Sequence, residues 1–263
     1  MKLTFLGTGT SQGVPVIACD CQVCQSKDMH DKRLRSSVMI ETNEHCIVID
    51  AGPDFRAQML RAGVKRIDAL LVTHGHKDHI GGLDDIRGFN YVMKKPVDVY
   101  ATATVSKDIH RDFYYAFADE KYPGVPDMNI HFIEDEAFYI DQLKIQPIPV
   151  MHHRLPVMGY RIGSLAYITD CSSISPDSMK LLENLDVLVI NALRIKPHIS
   201  HFNLDQALEL AEILKPRKTY LTHISHKLGL HEDVKKILPH NVQQAYDGLV
   251  CSLNDDYSGE NVV

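Results

Sequence analysis

The chain has 263 residues and a formal net charge of −6, and 44% of its residues are hydrophobic. This composition is ordinary for a globular protein and leaves room for one large domain. An extended nucleic-acid surface is disfavoured, because phosphate backbones require clustered Lys and Arg. No apolar run approaches the roughly 20 residues of a membrane span, and MKLTFLGTGT lacks the features of a secretory signal. We therefore expect a cytoplasmic protein that does not enter a membrane.

The first half of the chain is predicted to begin with strands and to continue with a helix and a buried strand. LTFLG is typical of a strand, and SSVMIET and HCIVIDAG are typical of a hairpin. The expected buried positions of the hairpin are Val38, Ile40, Ile47 and Ile49. A helix is predicted after Pro53 and ends at Gly63, and IDALLVT is predicted to be a fully buried strand.

The second half has a similar order of elements. LKIQPIPV, VMGYRIG and LAYITD indicate strands, followed by the helix PDSMKLLENL, the strand DVLVINA and the helix NLDQALELAEIL. RKTYLTH indicates another strand, and a last helix is expected to begin near His231. This pattern predicts an α/β fold with two sheets packed together and helices outside, a four-layer αββα sandwich. We expect one domain over residues 1–263, with a lid or insertion around 94–136.

Four potential metal ligands lie directly after the strand IDALLVT. They are His74, His76, Asp78 and His79, in the pattern H-x-H-x-D-H. Alternate residues at a strand end point the same way, so His74 and His76 can share one metal ion. Asp78 and His79 can reach a second ion from the helix that follows. Imidazole and carboxylate ligands suit Zn²⁺, Mn²⁺ or Fe²⁺.

A cysteine cluster precedes this motif. Cys19, Cys21 and Cys24 form C-x-C-x-x-C, and a closed tetrahedral zinc site needs a fourth ligand. His226 in LTHISH is the candidate. A redox cysteine pair is the competing interpretation. The other three cysteines are expected to be plain buried or surface residues.

These motifs resemble those of the metallo-β-lactamase superfamily, and the resemblance extends over nearly the whole chain. In that family a further His, a bridging Asp and a final His follow at successive strand ends. The matching residues here are His152 or His153, Asp170 and His223. The pattern H-x-x-L-P-V-x-G-Y favours His152. The resemblance also implies that Asp50 in VIDAG accepts a hydrogen bond from a ligand histidine, with a simple turn position as the alternative.

A narrower resemblance is to the cyclic-phosphate phosphodiesterases of bacterial phosphonate degradation. It rests on LGTGTSQGVP, the cysteine cluster, H-x-H-x-D-H and LTHISH in that order. It implies that the cysteines and His226 hold a structural zinc. It also implies that His201 in SHFNLDQA is catalytic, together with Asp78, a ligand typical of phosphodiesterases and nucleases. His201 could protonate the leaving oxygen or stabilise the phosphoryl group; alternatively, it only flanks a helix capped by Asn203.

The expected function is hydrolysis of a small cyclic phosphate or nucleotide phosphodiester by a hydroxide that bridges two divalent metal ions, Zn or Mn. One alternative is a tRNA-processing endonuclease, which would need a basic exosite. Another is a thioester or lactone hydrolase, which would not need His201. A non-catalytic binding module is disfavoured by the complete ligand set, and a di-iron oxidoreductase by the absence of room for an electron-carrier domain. Tyr114 and Tyr115 are expected to contact the substrate's sugar or base, and a homodimer is left open.

Overall fold

The structure is a computed structural model that describes residues 1–253. Its strands form two sheets. In chain order, the strands within this range are β1 (Lys2–Gly7), β2 (Ser37–Glu41), β3 (Cys46–Ile49), β4 (Ala69–Leu71), β5 (Val97–Ala101), β6 (Met128–Phe132), β7 (Phe138–Ile140), β8 (Leu143–His152), β9 (Leu155–Ile162), β10 (Leu165–Ile168), β11 (Ser173–Ile174), β12 (Val187–Asn191), β13 (Lys218–Thr222), β14 (Val242–Gln244) and β15 (Val250–Ser252).

Helices connect these strands and cover the outer faces of both sheets. Over the same residues, the α-helices are α1 (Gln22–Gln25), α2 (Phe55–Ala62), α3 (Lys77–Ile80), α4 (Arg87–Met93), α5 (Ala103–Asp112), α6 (Pro176–Lys180), α7 (Leu204–Leu214) and α8 (His231–Lys235). Short 3₁₀ helices cover Met29–Asp31, Leu83–Ile86 and Tyr114–Ala116. Within 1–253 the helices are too short or too polar to cross a bilayer.

Each sheet begins with antiparallel strands and continues with parallel ones. The first sheet has the order β15-β1-β2-β3-β4-β5-β6, and its strands from β3 to β6 are parallel. The second has the order β11-β8-β9-β10-β12-β13-β14, with β7 paired to β8, and β10, β12, β13 and β14 are parallel. Because the carboxyl ends of parallel strands meet at one edge, the loops after β4, β10 and β13 can converge where the two sheets meet.

Three apolar layers hold the molecule together. Between the sheets, Phe5 and Tyr160 belong to one buried cluster. On the outer side of the first sheet, Phe55 of α2 and Phe89 of α4 pack in a second cluster. On the outer side of the second sheet, Leu204 of α7 packs in a third. This arrangement confirms the predicted four-layer αββα sandwich.

The local predictions are confirmed in most elements. β2 and β3 form the expected antiparallel hairpin. Its four predicted core positions, Val38, Ile40, Ile47 and Ile49, are all buried. α2 ends where Gly63 adopts a positive φ of 65°, a conformation that glycine takes without steric cost. α6 is shorter than predicted, ending at Lys180 rather than continuing through LLENL.

The segment 94–136 is not a separate lid or insertion over most of its length. β5 is an inner strand of the first sheet, β6 is its edge strand, and α5 packs against them. Short runs such as VDVYA and MNIHF carry too little periodicity to separate a strand from a loop. Between α5 and β6, only residues 113–127 lie outside the regular layers, apart from one 3₁₀ turn.

Two hydrogen bonds join the sheets beside the first ligand motif. The buried Tyr160 hydroxyl donates to the carbonyl of Val72 over 2.6 Å. The backbone N–H of Met158 donates to the carbonyl of Thr73 over 3.0 Å. These bonds fix the chain that follows β4 immediately before His74, and so position the ligand motif relative to the second sheet.

Candidate metal centre

The predicted ligands meet at the end of the sandwich where β4, β8, β10 and β13 terminate. Asp170 and His223 follow β10 and β13, and His152 is the last residue of β8. Asp50, Asp170 and His223 have positive φ values of 66°, 56° and 52°. Such left-handed backbone is uncommon outside glycine and occurs preferentially at functional sites.

Four of these residues form one group of potential ligands. Asp78, His79, Asp170 and His223 each offer a ligand atom, and these atoms lie within 4.8 Å of one another. The Nε2 of His79 lies 3.2 Å from Asp78 Oδ2 and 3.5 Å from Asp170 Oδ1. The Nδ1 of His223 lies 2.9 Å from the same Asp170 oxygen. Oδ1 of Asp170 therefore faces this group.

A second group lies on the other side of Asp170. His74, His76 and Asp170 offer ligand atoms within 4.8 Å of one another. His74 Nε2 is 3.0 Å from His76 Nδ1 and 3.8 Å from Asp170 Oδ2. The His152 ring centroid lies 5.8 Å from that of His74 and 5.2 Å from that of His76. Asp170 thus presents one carboxylate oxygen to each group, as a residue shared by two metal ions would.

Asp50 lies behind His79 and fixes its orientation. Asp50 Oδ2 accepts a 2.7 Å hydrogen bond from His79 Nδ1. The same carboxylate accepts hydrogen bonds from the backbone N–H and the hydroxyl of Thr73 over 2.8 and 2.9 Å. Asp50 and His79 are both fully buried. Asp50 therefore occupies the orienting position predicted from the sequence.

The chemistry around His79 suits a bound cation. Within residues 1–253 its buried Nε2 has no hydrogen-bond partner, although carboxylate oxygens of Asp78 and Asp170 lie beside it. Burial lowers the pKa of His79, but the carboxylates of Asp170, Asp50 and Asp78 outweigh it and raise that pKa well above the usual value. A divalent ion would use the unpaired nitrogen as a ligand and neutralise the carboxylates.

His152, rather than His153, faces the site. His152 Nδ1 donates a 2.6 Å hydrogen bond to the carbonyl of Ser200, which leaves Nε2 available as a ligand. His153 is exposed and has a positive φ of 56°. The structure thus brings together His152 and the other predicted ligands, and leaves His153 outside.

His201 lies against both groups of ligands. Its ring stacks on that of His223 at 4.9 Å and lies 4.5 Å from that of His152. Its Nδ1 is buried and has no hydrogen-bond partner among the described residues. Burial and the neighbouring His223 lower the pKa of His201 to about 3. Asn203 caps α7, as predicted, so His201 is not needed there.

The cysteine cluster closes around His226 as the sequence predicted. The Nδ1 of His226 lies 3.2, 3.3 and 3.5 Å from the sulfurs of Cys19, Cys21 and Cys24. Ligands around one tetrahedral zinc ion are separated by about 3.6 Å, as zinc–sulfur and zinc–nitrogen bond lengths require. A hydrogen bond from the Cys24 backbone helps lower the pKa of the Cys21 thiol to about 6. The cysteines outside the cluster are buried: Cys46, Cys171 and Cys251.

Three supporting contacts were not predicted from the sequence. The Thr10 hydroxyl lies 3.2 Å from His223 Nε2. The Asn191 side chain accepts from the N–H of Cys171 and donates to its carbonyl over 2.7 and 3.0 Å, which holds the chain after Asp170. The third contact is the hydrogen bond that the Ser200 carbonyl accepts from His152. The only signal for Thr10 was its place in the loop LGTGTSQG.

The two tyrosines predicted to contact substrate have different environments. The Tyr115 hydroxyl donates a 2.6 Å hydrogen bond to Asp84, and its ring packs against the first-sheet core. Tyr114 is 73% exposed. Phe113 and Phe117 pack in or against the same core. Tyr114 is therefore the freer of the two side chains.

Asp170→Asn should remove the charge that both ligand groups share. Asn tolerates the left-handed backbone at this position, so the fold should be retained. We expect loss of at least one bound metal equivalent and a fall in turnover of more than about 100-fold, because even residues that only support a ligand contribute 10–100-fold. Metal analysis and thermal unfolding provide the measurement. Asp177→Asn, at an exposed position, is the matched control; unchanged metal content in Asp170→Asn would contradict the assignment.

Cys21→Ser should open the cysteine site. We expect loss of one zinc equivalent and a lower melting temperature, because a closed zinc site contributes directly to folding. A loss of about 2 kcal/mol would lower the melting temperature of a domain this size by about 4–8 °C. Cys251→Ser, which changes a buried thiol outside the cluster, should keep all zinc. Retention of zinc and of the melting temperature in Cys21→Ser would exclude a structural role.

Comparison with known proteins gives a consistent result. The Beta-lactamase superfamily domain matches residues 45–224. A solved structure of a new diphosphatase from the PhnP family is 44% identical, with a TM-score of 0.90 over 96% of this chain and 98% of that one. Zn²⁺-bound PqqB from Methylobacterium extorquens has the same fold, with 19% identity and a TM-score of 0.78 over 96% of this chain and 100% of that one.

A curated relative is longer than this chain. The octanoyltransferase of Porphyromonas gingivalis is 39% identical over 258 residues, which cover 97% of this chain but 52% of that protein. The chain therefore spans about half the length of this relative. Because the family domain covers more than half of the chain and the diphosphatase matches it nearly end to end, the chain belongs to the beta-lactamase superfamily and, within it, to the PhnP family.

Proposed function

We propose that this protein is a metal-dependent phosphodiesterase that hydrolyses a small cyclic phosphate or nucleotide phosphodiester. The observation that carries the proposal is the position of His201 beside two ligand groups that share Asp170. A thioester hydrolase does not need this additional imidazole, because a thiolate leaves without a proton donor, and neither a thioester nor a lactone brings a charged phosphoryl group to the site. A phosphodiester hydrolase does need it, because both the phosphoryl oxygens and the leaving oxygen carry charge that must be stabilised.

The donor set indicates which residues would hold each ion. His74, His76 and His152 would hold one, Asp78, His79 and His223 the other, and Asp170 both. Nitrogen and oxygen donors suit either zinc or manganese. Two divalent ions would supply a nucleophile at neutral pH and neutralise charge on the phosphoryl group. Cys19, Cys21, Cys24 and His226 would hold a separate structural zinc.

The protein's own side chains would prepare and complete the reaction. Asp50 and the Ser200 carbonyl orient His79 and His152, so that each presents its other nitrogen to the site. His201, whose ring is neutral with a pKa of about 3, would donate a hydrogen bond to the phosphoryl group, or a proton to the leaving oxygen once the negative charge of a bound substrate has raised its pKa. Tyr114 is exposed and lies two residues after Asp112, which pairs with Lys77 of the ligand motif, and it would stack on the base or sugar of the substrate.

A diphosphate ester is the second candidate substrate. It is favoured by the 44% identity to a protein described as a diphosphatase. A diphosphate linkage contains the same substituted phosphoryl centre, and its leaving group is itself a phosphate. The same ligand groups and the same imidazole would serve both substrates, and only the leaving group would differ.

A substrate screen of the metal-reconstituted protein tests the proposal. The panel contains bis-p-nitrophenyl phosphate, a cyclic nucleotide, a ribose cyclic phosphate, a dinucleotide diphosphate, a precursor tRNA, a lactone and a thioester. We expect hydrolysis of small phosphate esters, because the ion that each ligand group would hold would neutralise charge on a phosphoryl oxygen. Turnover of the lactone or thioester alone, or of the precursor tRNA alone, would contradict the proposal.

His201→Ala should reduce kcat most for substrates with poor leaving groups. A nitrophenolate departs with little protonation, whereas a ribose alkoxide depends on a proton donor, so general-acid loss should cost about 10²–10⁴-fold only for the latter. The comparison is kcat for bis-p-nitrophenyl phosphate and for the ribose cyclic phosphate. His240→Ala, at an exposed histidine, is the control. Equal losses on both substrates would identify phosphoryl binding as the role of His201.

A further inference from the structure

The loop between β12 and α7, residues 192–203, forms one wall of the site that the predicted metal ligands make. Arg194 at its start donates from Nε to the carbonyl of Lys196 and from a terminal nitrogen to that of Pro197, over 3.0 and 2.6 Å. Ser200 near its end accepts the hydrogen bond from His152. The loop is thus held at both ends, and His198 lies between them.

The hydrogen bonds of His198 fix its tautomer. The backbone N–H of Ser200 can only donate, and it points at His198 Nδ1 over 3.3 Å. The Ser200 hydroxyl lies 3.1 Å from the same nitrogen. Nδ1 is therefore the unprotonated acceptor, and the proton of the neutral ring is on Nε2. Among the described residues, none accepts a hydrogen bond from that Nε2–H group.

The position of His198 suits contact with a bound anion. Its ring centroid lies 5.3 Å from that of His201, which itself contacts His152 and His223. The side chain is half-exposed, so its free nitrogen can reach solvent or a ligand. Arg194 and Lys227 lie near enough for their positive charges to act on it. The Nε2–H group of His198 is thus a hydrogen-bond donor in positively charged surroundings beside the predicted metal ligands, which suits an anionic oxygen as its acceptor.

We propose that His198 is a substrate-binding residue whose Nε2–H donates a hydrogen bond to a non-bridging phosphoryl oxygen. Ser200 orients the ring, and the hydrogen bond from His198 adds to the binding of the phosphoryl group by the metal site and His201. This assignment rests on the proposed function, because it takes a phosphoryl group as the ligand. The competing role is purely structural: His198 would fix the position of Ser200, and the Ser200 carbonyl would in turn orient His152.

Two substitutions separate these roles. His198→Asn keeps an acceptor near the Nδ1 position for Ser200 and removes the distal donor. His198→Gln keeps a donor near the Nε2 position and loses the acceptor. His153→Asn makes the same exchange at an exposed neighbouring histidine outside the site and is the control. Each variant is compared with the wild-type protein in metal content and melting temperature.

The binding measurement uses inorganic phosphate titrated calorimetrically into the metal-loaded protein, and the kinetic one uses bis-p-nitrophenyl phosphate. For His198→Asn we expect Kd and KM to rise about tenfold, as for a lost hydrogen bond to a charged group. Its kcat and metal content should change little, because the contact binds substrate and transition state alike. His198→Gln should remain within about threefold of wild type in Kd and KM.

Three results would overturn the inference. One is an unchanged Kd and KM in His198→Asn. Another is loss of metal in His198→Gln with normal binding in His198→Asn, which identifies the structural role. The third is absence of phosphate binding by the wild-type protein. The phosphate titration needs no turnover, so it decides on His198 even if the substrate screen contradicts the proposed phosphodiesterase.

Discussion

Burying carboxylates at the ends of the strands makes the largest energetic demand on this fold. Asp50 and Asp170 have almost no contact with solvent, and Asp78 lies beside them. An ionised carboxylate in such a position is costly unless it is hydrogen-bonded, paired or bound to a cation. The surrounding imidazoles, the Thr73 donors and the expected metal ions together meet this requirement.

The sandwich is organised so that these groups can converge. No single sheet carries the whole site: the first ligand motif follows β4 of the first sheet, whereas Asp170 and His223 follow strands of the second. The apolar layer between the sheets brings the two edges together. The hydrogen bond from Tyr160 to the Val72 carbonyl then fixes their relative position next to the ligands. The core therefore determines the site geometry as well as the stability.

The sequence predicted the parts of this arrangement that depend on short-range pattern. H-x-H-x-D-H directly after a buried strand indicated side chains that the structure brings together, and the hairpin and α2 followed from alternation, Pro53 and Gly63. The prediction failed where contacts between residues far apart in the sequence determine the local structure. β5 and β6 are strands because the first sheet pairs with them, and Tyr115 is held by Asp84. The contact between Ser200 and His152 joins segments that local pattern cannot relate.

The short segment that follows β13 carries one residue of each site: His223 belongs to the group around Asp170, and His226 belongs to the cysteine cluster. Three residue steps span at most about 11 Å, so the two side chains cannot move independently by any large amount. An ion at the cysteine cluster would therefore change the affinity of the group around Asp170 for its ions. The reverse would also hold, and the coupling free energy would be the same in both directions. An ion at the cysteines would order this segment in advance, and the catalytic ions would then bind a ligand whose conformational entropy has already been lost.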